Sequence, residues 1–126
     1  MNSPLSILGA VKKLQDAVNS GNPVVPVINP GSNYTASFPS FGDLSYRILL
    51  NENLNLDVTG GVPNQLQTIT FIIQQPVSGN CEITLDSAIQ WINKAPFIDS
   101  RIGEFTFFRI FTFDGGKTYW GSLING

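Results

Sequence analysis

The sequence contains no histidine, and this absence removes much of the catalytic chemistry open to a small protein. Histidine is the usual general base near neutral pH and the commonest metal ligand, so Ser–His, Cys–His and histidine–metal chemistry are excluded within one chain. The single cysteine, Cys81, cannot form an internal disulfide. We expect it to be a small buried side chain, in a protein made in a reducing compartment.

Charged residues are scarce, at 13% of 126 residues with a net charge of −2, whereas soluble domains usually carry about a quarter. The seven basic residues are spread along the chain, without the cluster that nucleic-acid phosphates require. No apolar run is long enough to cross a bilayer, and the N-terminus lacks the pattern of a signal peptide. We therefore expect no nucleic-acid partner and no membrane insertion. The neutral surface fits either a protein packed in an assembly or an ordinary acidic domain.

Residues 1–21 predict a short amphipathic helix. Ser3 can cap it, Pro4 suits its first turn, and residues 19–21 end it. Its apolar stripe consists of Ile7, Val11, Leu14 and Val18. So short a helix is marginal alone in water, so the stripe is expected to dock on its own sheet, on two sister helices or on a host surface.

Residues 22–43 predict an extended proline-rich arm or an irregular edge segment, because four prolines interrupt them. An arm of this kind usually lies on another surface, to which it would contribute Val24, Val25, Val27 and Ile28. The alternative is a linker that packs against its own domain.

Residues 44–126 show the pattern of strands. Leu54, Leu56 and Val58 alternate with polar residues, and residues 67–75 alternate in the same way. Residues 114–116 form a Gly-Gly hairpin signal. Several short strands at close spacing with no helix between them predict an antiparallel β-sandwich or jelly roll. The predicted fold is therefore mainly β, behind a short helix and an arm.

Eight aromatic residues crowd the stretch between Phe97 and Trp120. A domain of this size has room for about half of them in its core, and the rest would leave a large exposed apolar patch. Burial between subunits resolves this, so copies of the chain are the first expected partner. The candidate interface or ligand aromatics are Phe107, Phe111, Tyr119 and Trp120.

Three patterns in the sequence could indicate catalysis, metal binding or sugar binding. Glu82 and Asp86 are four residues apart in a strand pattern, which favours a solvated face or an ion pair over paired catalytic carboxylates. Asn or Asp at alternate positions of residues 51–57 favours a polar strand face and turn over a calcium loop. Tyr119 and Trp120 are more typical of a core or interface than of a sugar platform. We therefore predict no enzyme activity, no cofactor and no metal site.

The pattern from Leu54 to Gly121 resembles a β-domain of bacteriophage virion surface proteins, found in tail fibres, head fibres and decoration proteins. The resemblance is carried by Leu54-Asn55-Leu56-Asp57-Val58-Thr59-Gly60, by residues 67–75, by Ile83-Thr84-Leu85, by Ile89-Gln90-Trp91 and by residues 111–121. It implies a virion structural component, usually a homotrimer, made in the host cytoplasm and placed on the virion surface.

Two hypotheses follow from this resemblance. The first is a capsid decoration (cement) or short head-fibre protein, attached through its N-terminal region to the major capsid protein or another virion protein. The alternative is a tail-fibre or receptor-binding module that recognises a host-surface glycan or protein.

Overall fold

The computed structural model describes residues 23–124, and in this range the chain forms nine β-strands and no helix. The prediction of a mainly β fold is confirmed. The predicted helix and its stripe of Ile7, Val11, Leu14 and Val18 lie outside the described residues. The strands are β1 Val24–Ile28, β2 Asn33–Ser37, β3 Leu44–Leu49, β4 Leu54–Thr59, β5 Pro63–Gln74, β6 Ile83–Leu85, β7 Gln90–Trp91, β8 Phe105–Asp114 and β9 Trp120–Leu123.

The first six strands alternate between two sheets. A six-stranded sheet has the order β1-β3-β5-β8-β9-β7, and a three-stranded sheet has the order β2-β4-β6. Because the chain crosses to the other sheet after each strand, strands two apart in sequence become neighbours and run parallel. Only the pairs β5–β8 and β8–β9 are antiparallel. The prediction of an antiparallel sandwich is therefore wrong for the first half of the fold.

The periodicity of the sequence could not have revealed this difference. A strand with one buried face alternates apolar and polar residues whether its neighbour is parallel or antiparallel. β4 shows this alternation in full, with every second residue buried, which confirms the predicted face of Leu54, Leu56 and Val58. Whether strands pair in parallel or antiparallel is decided by the connections between them. Here these connections cross the core to the other sheet and do not form hairpins.

The segment predicted to be an arm is part of both sheets. Residues 24–28 form the edge strand β1 and residues 33–37 form the edge strand β2, so this segment agrees with the predicted alternative of an edge segment and not with a separate arm. Pro26 is tolerated because an edge strand has a neighbour on one side only. The prolines therefore restrict this segment to sheet edges without excluding it from the sheets.

One apolar core lies between the inner faces of the two sheets. The rings of Phe71 and Phe108 stack at its centre, with their centroids 5.0 Å apart. Cys81 is 6% exposed and free, as predicted for a small buried side chain, and burial raises the pKa of its thiol. The fully buried apolar side chains are Ile48, Leu50, Leu54, Leu56, Ile69, Phe71, Ile73, Phe108 and Ile110.

Two buried glutamines hold the connections between the sheets. The side-chain amide of Gln67 donates to the carbonyls of Pro39 (2.8 Å) and Gly42 (3.2 Å), and its Oε1 accepts from the Val62 N–H (2.8 Å). Gln75 pairs with both backbone groups of Cys81, at 2.7 and 2.9 Å. These side chains supply hydrogen bonds that the turns cannot make for themselves.

Replacing Gly121 by alanine is expected to destabilise the sheet edge by about 1–3 kcal/mol, because a side chain there would overlap the ring of Trp91. That ring is also held edge-on against Phe108, with centroids 6.0 Å apart, so it cannot move freely. A thermal melt of Gly121→Ala measures the loss. Ser122→Ala, at the next position of β9, is the control; equal melting temperatures for the two variants would contradict this account.

Candidate interaction surface

The outer face of the three-stranded sheet is polar throughout. Its side chains are small or neutral except for Asp57, and all of them are exposed. Asn55 donates to Asn33 Oδ1 across the β2–β4 pair at 3.3 Å. The members of this face are Asn33, Thr35, Ser37, Asn55, Asp57, Thr59 and Thr84. This composition is typical of a face in contact with water.

The outer face of the six-stranded sheet is mixed: apolar side chains lie there among the polar ones Arg47, Thr68, Thr70, Gln74 and Arg109. Strand alternation places eleven apolar side chains there, none of them fully buried. We call this set the outer band: Val24, Pro26, Ile28, Leu49, Ile72, Phe105, Phe107, Phe111, Phe113, Trp120 and Ile124. Strand register places its members side by side: Phe107 is opposite Ile72, and Phe111 is opposite Trp120. Phe105 and Phe107 stack in parallel, with centroids 6.0 Å apart.

Three of the four predicted interface aromatics lie in the outer band, and Tyr119 does not. Its ring stacks on Phe38 at 5.7 Å, and its hydroxyl donates to the Gly60 carbonyl at 2.7 Å. Burial, with the nearby Asp114 and Asp86, raises the pKa of Tyr119. Tyr119 and Trp120 therefore serve different surfaces, and the sugar platform considered from the sequence is not formed.

The residues predicted to form the contacts of the arm are also divided between the outer face and the core. Val24 and Ile28 lie in the outer band, 54% and 67% exposed, whereas Val25 and Val27 pack against the core. The sequence could not show this division, because the interrupting prolines hid the two-residue period of β1.

Several exposed apolar side chains lie in loops, where the strand pattern did not predict them. Val77 and Phe97 are 89% and 83% exposed, and Ile102 is 66% exposed. The backbone N–H of Asn80 donates to the Ser100 carbonyl at 2.8 Å, which ties the loop after β5 to the loop before β8. The available signal was an apolar residue inside a Pro-Val-Ser-Gly turn, which strand periodicity does not detect.

The charged side chains on this face of the six-stranded sheet are both cationic. Arg47 and Arg109 are exposed there, and among residues 23–124 no carboxylate shares their strand positions on this face. Arg47 Nη2 donates to Gln74 Oε1 at 3.0 Å. Asp43 lies at the rim, where it accepts from the Thr68 N–H at 2.9 Å.

The indole nitrogen of Trp120 is a buried donor without an acceptor. Among the buried side-chain polar atoms of residues 23–124, Trp120 Nε1 stands alone in lacking a hydrogen-bond partner. A buried unsatisfied donor costs about 1–3 kcal/mol. An acceptor from outside the described chain would remove this cost.

Polar side chains of residues 51–57 and the Asp99–Arg101 pair have structural roles. Asn51 Oδ1 accepts from Gly31 N–H and Asn53 Oδ1 from Glu82 N–H, so alternate residues of this run brace turns as predicted. Asp99 forms a 2.6 Å ion pair with Arg101, whose hydrogen bonds lower the Asp99 pKa to about 2.

Within the described part of the chain, no three acidic, cysteine or histidine side chains converge on a metal-sized site. No helix in this part is long and apolar enough to span a bilayer. Comparisons with family models, with curated proteins and with solved structures give no match.

Proposed function

We propose that this chain is a structural virion protein of a bacteriophage: a homotrimeric capsid decoration or short head-fibre protein whose copies assemble through the outer band. The observation that carries the proposal is the contrast between the two outer faces. One sheet presents only polar side chains to water, while the other presents eleven aromatic and aliphatic ones among its polar side chains. Soluble monomers rarely expose an apolar surface of this kind, whereas a subunit of an assembly buries it against a neighbouring subunit.

The outer band has a footprint of about 410 Å², about half of the area that each partner buries in a stable interface, so a contact there also needs surface beside the band. Six strands about 4.8 Å apart give a face about 24 Å wide, and five residues along a strand add about 17 Å. Its side chains are partly accessible across this area, up to 67% for Ile28. Stable interfaces bury about 800 Å² per partner, and each Å² of apolar surface contributes about 25 cal/mol before the costs of association.

The composition of the band also fits a protein partner. Phe and Trp are enriched at the centres of protein interfaces, and Arg accompanies them there. A mainly β fold agrees with the resemblance to virion surface domains on which the phage assignment rests.

Attachment to the capsid through the N-terminal region is the second part of the proposal. Its basis is the sequence pattern of Ile7, Val11, Leu14 and Val18. Three linked copies would present three such segments to a threefold capsid site, and binding would gain from avidity.

Adding the purified protein to emptied capsids is expected to decorate them and raise their melting temperature. Val11→Asp with Leu14→Asp should abolish capsid binding and leave the oligomer intact, because only the attachment stripe is changed. Lys13→Asp, outside the stripe, is the control for added acidity. Retained decoration by the stripe variant would show that attachment is made elsewhere, and no binding by the unaltered protein would refute decoration.

The number of copies per particle separates decoration from the alternative. Decoration requires hundreds of copies, which quantitative mass spectrometry of purified virions can count. A few to a few dozen copies would instead place the chain in a tail fibre or receptor-binding module.

A further inference from the structure

The charged residues at the strand positions differ between the two outer faces of the sandwich. The face that contains the outer band carries Arg47 and Arg109. The three-stranded sheet and the residues that flank its strands carry Glu52, Asp57, Glu82 and Asp86, with no Lys or Arg in residues 51–59 or 82–86. The strand positions of the outer-band face therefore carry only cations and those around the polar face only carboxylates, while Asp43 lines a cavity with Arg109 at the rim of the band.

This segregation disfavours a symmetric contact between two outer bands. A twofold pairing of identical faces would enclose four arginines, with no carboxylate at the strand positions of either face. Like charges at a contact cost several kcal/mol and exclude the wrong arrangement. A contact between two different surfaces of neighbouring copies avoids this repulsion. If each copy is rotated by one third of a turn relative to the last, three copies form a closed ring.

The edge formed by β6 and β7 carries a carboxylate, which the strand positions of the outer band lack, and residues 96–100 line a cavity beside β6. β6 is an edge strand of the three-stranded sheet and β7 an edge strand of the six-stranded sheet, and residues 86–89 join them. Glu82 directly precedes β6 and is exposed. Ile92 directly follows β7 and is 52% exposed. By strand alternation Glu82 lies on the side of the polar face, with Thr84, and Ile92 on the side of the outer band, with Gln90, so this edge carries a carboxylate at one face and an apolar side chain at the other.

Strand direction brings Glu82 and Arg47 to similar heights in two copies. Glu82 lies beside the turn between β3 and β4, since its N–H bonds to Asn53. Arg47 lies two residues before the end of β3 that enters this turn. Rotation about an axis parallel to the strands preserves height, so the two side chains can meet across a threefold contact. Arg47 uses one N–H on Gln74 and has four others for a carboxylate.

We propose that a second copy of this chain occupies the outer band, with its β6–β7 edge against the band and its Glu82 paired with Arg47. This inference rests on the proposed function and specifies the surface that its self-assembly uses. Because both partner surfaces belong to one chain, every copy in a closed trimer makes the same contact on both sides.

Sedimentation equilibrium of the full chain tests this contact. Arg47→Glu and Glu82→Arg are each expected to raise the dissociation constant of the assembly by about tenfold or more. The doubly reversed variant, which restores the opposite charges, should return to within about threefold of the unaltered protein. Asp57→Arg makes the same charge change as Glu82→Arg on the polar face and should leave assembly unchanged.

The possible results separate this inference from the proposed function. If the protein is trimeric but the reversals weaken it no more than Asp57→Arg does, the Glu82–Arg47 contact is refuted and self-assembly stands. A protein that stays monomeric at all concentrations refutes both the Glu82–Arg47 contact and self-assembly. The outer band would then bind residues 1–22 or another protein. Circular dichroism verifies folding. If a reversed variant fails to fold, Arg47→Gln and Glu82→Gln are used instead. Additive effects of these two substitutions on the dissociation constant would overturn the pairing.

Discussion

Ile72→Arg is expected to convert the assembly to folded monomers, with the dissociation constant raised by about a hundredfold or more. Ile72 lies on the central strand β5, in the outer band, with Arg47 and Phe107 as its neighbours on the adjoining strands. A guanidinium at this position would have to be buried at the centre of an apolar contact beside an existing arginine. The fold should survive, because the side chain points away from the core. Light scattering coupled to gel filtration measures the effect.

Thr35→Arg is the matched control for this prediction. Thr35 is exposed on the outer face of the three-stranded sheet, so the same charge is added to a surface that the proposed contact leaves in water. This variant should assemble as the unaltered chain does. Equal assembly of both variants would show that the outer band is not the interface, and monomers from both would indicate a general effect of charge.

Gln67→Leu is expected to lower the free energy of unfolding by about 3–5 kcal/mol. Leucine has a similar volume, but it leaves the Val62 N–H and the Pro39 and Gly42 carbonyls without the partner that Gln67 provides. Gln67 itself is 0% exposed, so water cannot readily replace the amide. The melting temperature should fall by roughly 10–20 °C, measured by calorimetry or circular dichroism.

Gln65→Leu provides the control, since Gln65 is an exposed glutamine two residues earlier in the same strand. We expect it to change stability by no more than about 0.5 kcal/mol. A Gln67→Leu melting temperature close to that of Gln65→Leu would mean that the two connections do not depend on the buried amide.

The strand pattern of the sequence predicted much of the second half of the fold. The alternation of Leu54, Leu56 and Val58 is a local property, set by the two-residue period of any half-buried strand, and the structure confirms it. The aromatic excess likewise predicted an exposed apolar surface. The structure places five of these eight aromatics in the outer band.

Other features depended on contacts between residues far apart in sequence. Pro26 suggested an arm, but β3 accepts the segment around it as an edge strand because a free edge needs no N–H there. Tyr119 was grouped with Trp120 as a possible ligand contact. Its hydroxyl bonds to Gly60, 59 residues away, and no local pattern could have indicated this partner.

The sequence by itself determined that histidine chemistry is absent, that the fold is mainly β and that apolar side chains exceed what one core can hold. These follow from composition and from periods of two residues, which each segment expresses alone. Only the tertiary structure decided that strands cross between sheets and pair in parallel, and that the apolar excess collects on one face with two arginines. These features depend on which distant strands become neighbours. That arrangement is stabilised by core packing and by buried hydrogen bonds such as those of Gln67 and Gln75.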